Sequence, residues 1–320
     1  MTRRPARVHD FGGLILWSEA ALPGLPERVG QGGGDGDFAV RIALEPGKRP
    51  DAGSPVHRWQ GRYGLSLDRV GDRWLVRRGR DLAIEIDPEG RNLRCRFADE
   101  AEPPLLGEVL TRRVLPRVAG LHGRLVLHAA TVSDGADAVM LFGVSGAGKS
   151  TMTAAIARAL GWFILADDMS ILGGDLDRTA WSSMPGVSLW RGSRAGLDLP
   201  DDRCAPIPGH DGKVWYRPDG RGSAGPARLG SIVFLAEEPR GGKVHWEPVS
   251  GPAVLAMAAS QLMPFNPADP DERGRMMNRL GRLLAEVPAY ALAYPRSFAA
   301  LPDVLVAIRS LHSDAAGRSL

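Results

Sequence analysis

One run constrains this chain more than any other feature: Gly143, Val144, Ser145, Gly146, Ala147, Gly148, Lys149 and Ser150 fit GxxxxGK[ST] in full, with Thr151 directly behind. An apolar segment, 138–142, precedes the run and an amphipathic one, 149–160, follows it, so a strand hands over to a helix there. That order commits this part of the chain to an α/β arrangement. The glycines let backbone N–H groups converge on an anion without Cβ obstruction, and the new helix turns its positive end toward the same point. Residues 143–151 are therefore expected to cradle the phosphates of a nucleotide, with Lys149 reaching the terminal ones. The Ser150 hydroxyl would face Mg²⁺ between the β and γ phosphates. ATP and Mg²⁺ are the cofactors this predicts. Met152, Ile156, Ala159 and Leu160 form the stripe expected to hold the helix on its sheet.

The strand expected at 163–166 runs straight into Asp167 and Asp168. Ligands of open α/β sheets bind at the carboxyl ends of strands, so both acids are expected to face the cradle. One can bind the hydrated Mg²⁺ and the other can take the proton of an attacking hydroxyl. Side chains of neighbouring strand residues point to opposite faces, which suits two acids with two tasks. Between the apolar runs 125–132 and 138–142, Asp134-Gly135 signals a hairpin. A turn centred there sets His128 opposite Leu141, and a turn one residue later sets it opposite Gly143. Either register brings its strand beside the cradle, where an imidazole could bond a phosphate or hold an aspartate.

Upstream, residues 7–98 are short apolar runs broken by turn signals, the pattern of a mostly antiparallel β domain with a Gly-rich loop at 31–36. Leu106, Val109, Leu110, Val114 and Leu121 recur near helical spacing, with Arg112 and Arg113 on another side and Pro116 placed to kink or end the helix. The expected division is a β-rich domain over 1–104, a candidate for peptide docking, and a nucleotide-binding domain over 105–320. Downstream of the acids the reading gives a loop-rich middle to Arg228, a strand at 231–236, and helices near 252–263, 273–287 and 298–311. A net charge of +3 with no dense basic run lacks the footprint of a nucleic-acid binder, and no stretch suits a membrane span or a signal segment, so a cytoplasmic protein is expected. Cys95 and Cys204 stand far apart and are expected as small buried residues. Lysine is rare, with Lys48, Lys149, Lys213 and Lys243 the only four, so Lys213 in Asp-Gly-Lys-Val-Trp is a candidate phosphate or substrate contact.

Taken in order, Leu127-His-Ala-Ala-Thr-Val, the run at 143–151 and Leu165-Ala-Asp-Asp resemble the HPr kinase/phosphorylase family. The similarity is closest to HPr-kinase-like serine kinases of ribosomally made precursor peptides, those of lasso type included. It implies a kinase domain of the phosphoenolpyruvate-carboxykinase-like type, Mg-ATP as donor and a serine on a peptide or protein as acceptor. It also implies Asp167 as base, Asp168 with Ser150 at the metal, and catalytic roles for His128 and Lys149. Lys213 resembles a lysine of the same peptide kinases. The phosphorylase signature that follows the core in true HPr kinases is not recognisable, so neither the reverse activity nor HPr as substrate is carried over.

Three rivals stay open. A small-molecule kinase is one, because the loop also resembles that of sulfate-adenylate kinases, although there it opens the domain. A transporter-type or motor ATPase is another, weighed against by the missing Leu-Ser-Gly-Gly-Gln-like signature and by an acidic pair that follows the cradle too soon for that architecture. A regulatory module that binds ATP without transfer is the third. Whether the chain forms homo-oligomers is not legible.

Overall fold

The computed structural model describes residues 7–19, 22, 24–25, 27–28, 39–46, 53–60, 63–79, 81–97, 103–218, 225–236 and 242–317. They divide into two compact units, a first of the described residues up to Arg124 with Met263–Gly274, and a second of Leu125–Leu262 with those from Arg275 onward. The boundary therefore falls at Arg124 and not at 104. His122 and Arg124 show why, since the His122 ring bonds the Gly90 carbonyl at 3.0 Å and the Arg124 guanidinium donates to the Gly13 carbonyl at 3.2 Å. Both ties hold the end of the helical segment to the β-rich unit. The Gly-rich loop at 31–36 lies outside the described residues. Among those described, no helix is long and apolar enough to cross a membrane.

The first unit holds β1 (Arg7–Phe11), β2 (Leu14–Ser18), β3 (Ala39–Pro46), β4 (Ser54–Arg58), β5 (Leu65–Val70), β6 (Arg73–Arg78), β7 (Leu82–Ile86) and β8 (Asn92–Phe97). They form one sheet in the order β1-β2-β3-β8-β7-β6-β5-β4. Pairing is mostly antiparallel, with β2–β3 and β3–β8 parallel. In β7, Leu82, Ile84 and Ile86 are buried on one face, and on the other Ala83 is buried while Glu85 is half-buried. Cys95 is fully buried in β8, and burial pushes its thiol well above the ordinary range.

Next come α1 (Pro103–Val109), a π-helical turn at Leu110–Val114 and α2 (Leu115–Leu121). Pro116 neither ends nor sharply breaks the helix. The widened turn sits directly before it, with the Leu115 N–H bonded five residues back to the Leu110 carbonyl, so the proline ring finds the room an α-helical turn would deny. Arg112 is buried within this turn, paired to Glu108 at 2.8 Å, and so does not share an exposed side with Arg113.

The second unit contains β9 (Leu125–Leu127), β10 (Ala130–Ser133), β11 (Asp137–Phe142), α3 (Lys149–Leu160), β12 (Phe163–Ala166), β13 (Ser170–Gly173), β14 (Thr179–Trp181), β15 (Val187–Trp190), α4 (Arg191–Gly196), β16 (Cys204–Ile207) and β17 (His210–Tyr216). Then follow β18 (Ala227–Leu235), β19 (His245–Val249), α5 (Pro252–Ala259), α6 (Pro270–Glu286, of which 275–286 belong here), β20 (Ala289–Ala293) and α7 (Leu301–Gly317). The middle expected to be loop-rich thus carries β13 to β17, with β15, β17 and β16 making a small sheet of their own. Cys204 is only half-buried there.

The large sheet is covered on both faces. Met140 and Phe142 of β11 pack with Phe234, α5 and α6, while Val139 and Leu141 pack with Val233, α3 and α7. Burying each such side chain is worth about 1.5–3 kcal/mol, so the alternation fixes which way β11 faces. Helix α3 departs from its expected stripe: Met152 and Ile156 face the sheet, Ala159 is exposed, and Ala154, Ala155 and Ala157 pack on Val187 and Leu189 of β15.

Strand direction places the site. β11, β18 and β20 run parallel, β10 is antiparallel to β11, and β12 is antiparallel to β10. β12 therefore runs with β11, and four carboxyl ends share one edge of the sheet.

Candidate functional site

The cradle residues leave β11 at that edge. Val144, Ser145 and Gly146 are exposed, Ala147 is buried, and the Ala147 N–H closes a turn on the Val144 carbonyl at 3.0 Å. Gly146 and Gly148 stand at φ 83° and 92°, where a side chain is strained. A Cβ on Gly148 would also come within 2.8 Å of the Tyr294 hydroxyl. Behind the loop, Tyr294 Oη donates to the Ala147 carbonyl at 3.2 Å, and Arg296 donates to the same carbonyl and to that of Ala236 at 2.8 Å. A trans peptide directs its C=O and N–H oppositely, so holding this carbonyl from behind turns the Gly148 N–H the other way.

Lys149 is buried, and its ammonium donates to the Gly143 carbonyl at 2.7 Å. Burial pulls its pKa below the ordinary lysine value, with the Asp168 and then the Asp167 carboxylates acting against that. Ser150 Oγ donates to Asp167 Oδ1 at 3.0 Å, and Asp167 Oδ2 accepts the Ser188 N–H at 2.8 Å. Thr151 shares a 2.9 Å hydrogen bond with Ser193 of α4. Helix, acid and small sheet are thereby tied together.

The acids do not alternate along a strand as expected. β12 stops at Ala166, Asp168 takes a left-handed conformation at φ 66°, and the Met169 N–H reaches back to the Asp167 carbonyl at 2.8 Å before β13 begins. The run 125–132 is likewise two strands, broken at His128 and Ala129. β10 pairs with β12 and β9 with β13, so the two breaks face each other. There His128 Nδ1 lies 2.8 Å from the Asp168 carbonyl. A carbonyl only accepts, so Nδ1 carries the proton. The hairpin pairs Ala130 with Leu141, the second of the two registers, although pairing stops before His128 and Gly143.

Ser150 and Lys213 make contacts of their own. The Ser150 hydroxyl, expected to share a metal with Asp168, donates to Asp167. Lys213 lies on β17 in register with Trp190, its ammonium 5.0 Å from the exposed indole's centroid, so its contact is aromatic. Ser188, Tyr294 and Arg296 were not legible as site residues. The apolar run 289–293 between Pro288 and Pro295 was the available sign of a strand leading to the last two.

The described residues contain no group of three His, Cys, Asp or Glu side chains set to hold a metal. Mg²⁺ needs no such group, since one or two carboxylates, a hydroxyl, phosphate oxygens and water complete its shell. Ser150 and Asp167, 3.0 Å apart beside the buried Lys149, fit that requirement. The glycine-built loop fits a polyphosphate. No family model matches the chain, and no curated protein matches it significantly.

Proposed function

We propose that the chain is an ATP-dependent kinase of HPr-kinase-like fold that phosphorylates a serine of a peptide, a ribosomally made precursor being the substrate class the motif order suggests. The observation that carries the reading is the contact between Ser150, the last residue of the loop motif, and Asp167 at the end of β12. It joins a phosphate-binding helix start to a strand-end acid, the pairing that phosphoryl transfer with a metal uses. Mg-ATP would supply the phosphoryl group and the cation that neutralises it.

The chain's own residues divide the remaining work. Lys149 places a positive charge at the loop, and the Gly148 N–H, aimed by Tyr294 and Arg296, adds a donor. Asp167 is buried and already accepts two protein hydrogen bonds, from Ser150 Oγ and the Ser188 N–H, which fix its carboxylate in place. It suits orientation of Ser150 and the metal. Asp168 is half-buried and its backbone is held by His128, which suits the base that takes the serine proton. This exchanges the two roles that the family resemblance implies.

The test is incubation of the protein with Mg-ATP labelled at the γ phosphate and separate pools of serine-containing peptides and small metabolites. Label in peptide serine supports the proposal. Label confined to metabolites, or saturable ATP binding with no phosphorylated product, replaces it with one of the rivals.

A further inference from the structure

The β-rich unit contains a cavity of about 260 Å³, remote in sequence from the loop, whose walls include Trp59, Gln60, Tyr63, Arg113, Arg117 and Met263. Its chemistry is one-sided. Arg117 is 7% exposed, and its guanidinium lies 4.8 Å from the centroid of the Trp59 ring. One Arg117 nitrogen donates to the Arg113 carbonyl at 2.7 Å, while its Nε–H, buried, has no partner among the described residues. The indole N–H of Trp59 is in the same condition. Arg113 sits four residues before Arg117, its guanidinium 5.5 Å from the centre of the Tyr63 ring. The nearby acid, Glu108, does not line the cavity and is engaged by Arg112 at 2.8 Å and the Tyr63 hydroxyl at 3.1 Å.

Two arginines among the walls, with no acid among the described residues that line the cavity, give it a net positive charge and ask for an anionic acceptor. The field there is positive. Burial and then the Arg113 charge pull Arg117 down to about 9, so it stays protonated at neutral pH, and burial with the Arg117 charge holds His57 below its ordinary value. The π-helical turn at Leu110–Val114 contains Arg113 and ends three residues before Arg117, and such turns are frequent at functional sites. A bare phosphate would leave the aromatic and methionine walls uncovered, whereas an apolar body would fill them.

We infer that this cavity binds a carboxylate borne on an apolar body, with Arg113 and Arg117 taking the oxygens and the two aromatic rings taking the body. A free small acid and the C-terminal residue of a peptide share that chemistry. The inference does not depend on phosphoryl transfer.

The experiment is isothermal titration of the full chain at low salt with N-acetylphenylalanine, its neutral amide and inorganic phosphate. A hexapeptide ending in phenylalanine is added as the free acid and as the amide. The expected result is that the acids bind and each amide binds at least about tenfold more weakly, the loss of a charge-assisted contact. Arg113→Gln should weaken the acids about tenfold with the melting temperature unchanged. Arg113 is only half-buried, so its variant keeps the test open should Arg117→Gln fail to fold. Tighter binding of the peptide acid than of N-acetylphenylalanine identifies a peptide end as the source, and equal affinity identifies a free acid. Equal affinity for acid and amide, phosphate binding more tightly than either acid, or full affinity in the Arg113→Gln variant would overturn the assignment.

Discussion

Replacing Asp167 separates its structural work from the metal-orienting role proposed for it. In Asp167→Ala the buried Ser188 N–H loses its acceptor, which costs about 1–3 kcal/mol, and the charge-assisted bond from Ser150 is lost as well. A total of about 2–4 kcal/mol corresponds to roughly 2–4 °C of melting temperature per kcal/mol in a unit of this size. Asp167→Asn is a different perturbation. The amide oxygen can keep the Ser188 N–H, the amide nitrogen can donate to Ser150 Oγ, and the serine hydroxyl can rotate, so the loss falls to on the order of 1 kcal/mol. That same amide removes the charge and occupies a Ser150 lone pair, so the Mg²⁺-dependent part of ATP affinity should fall about 10–100-fold. Thermal denaturation of the three proteins, with ATP titrations in Mg²⁺ and in EDTA, measures both quantities. An Asp167→Asn protein that gains as much ATP affinity from Mg²⁺ as the wild type would refute the metal-orienting role. An Asp167→Ala protein as stable as the wild type would refute the hydrogen-bond account beneath it.

Asp168→Asn should keep Mg-ATP affinity within a few-fold and lower peptide phosphorylation by about 10²-fold or more, the scale of a lost general base, read by single-turnover transfer from labelled ATP. His128→Ala should reduce transfer more than nucleotide affinity, because it frees the Asp168 carbonyl and leaves the loop intact, and comparison of turnover with the dissociation constant checks this. Gly148→Ala forces a side chain to φ 92°, at a cost of about 1–2 kcal/mol, and drives its Cβ against Tyr294 Oη; adding Tyr294→Phe should recover only the contact part, as thermal melts of the single and double variants will show. Burial raises the Asp134 pKa, but the His312 hydrogen bond and the Ala136 and Asp137 N–H groups outweigh it and leave the value below the ordinary 3.8. With the folded value below the unfolded one, the stabilisation is complete above about pH 4 and is lost as pH falls through the folded value, so Asp134→Asn should flatten that part of an acid-unfolding curve.

The sequence made the local pieces of the site legible where one short segment encodes them. Residues 149–160 and 163–166 fold as the helix and strand expected, because a helix stripe and an apolar run bounded by turn residues are visible within a single window. The β-rich character of the first unit was legible for the same reason. What escaped depends on residues far apart. Tyr294 and Arg296 reach the loop only because β20 lies beside β18, and Ser188 reaches Asp167 only because the small sheet packs on α3. Pro116 misled in the opposite direction, since the rule that proline breaks a helix assumes an α-helical turn before it, and here that turn is π-helical.

The facing breaks explain how two consecutive acids can both lie near Lys149. In an unbroken strand Asp167 and Asp168 would lie on opposite faces of the sheet, one of them buried under helices with no route to a phosphate. The left-handed residue at Asp168 cancels that alternation, and aspartate tolerates the conformation better than most side chains. A single broken strand would leave peptide groups beside it without ladder partners. Breaking the neighbour at His128 and Ala129 lets the two segments satisfy each other, through His128 Nδ1 on the Asp168 carbonyl and Ser170 Oγ on the Ala129 carbonyl at 2.9 Å. His128 therefore belongs to the site through the backbone it holds, and the acids keep their positions only while both breaks persist.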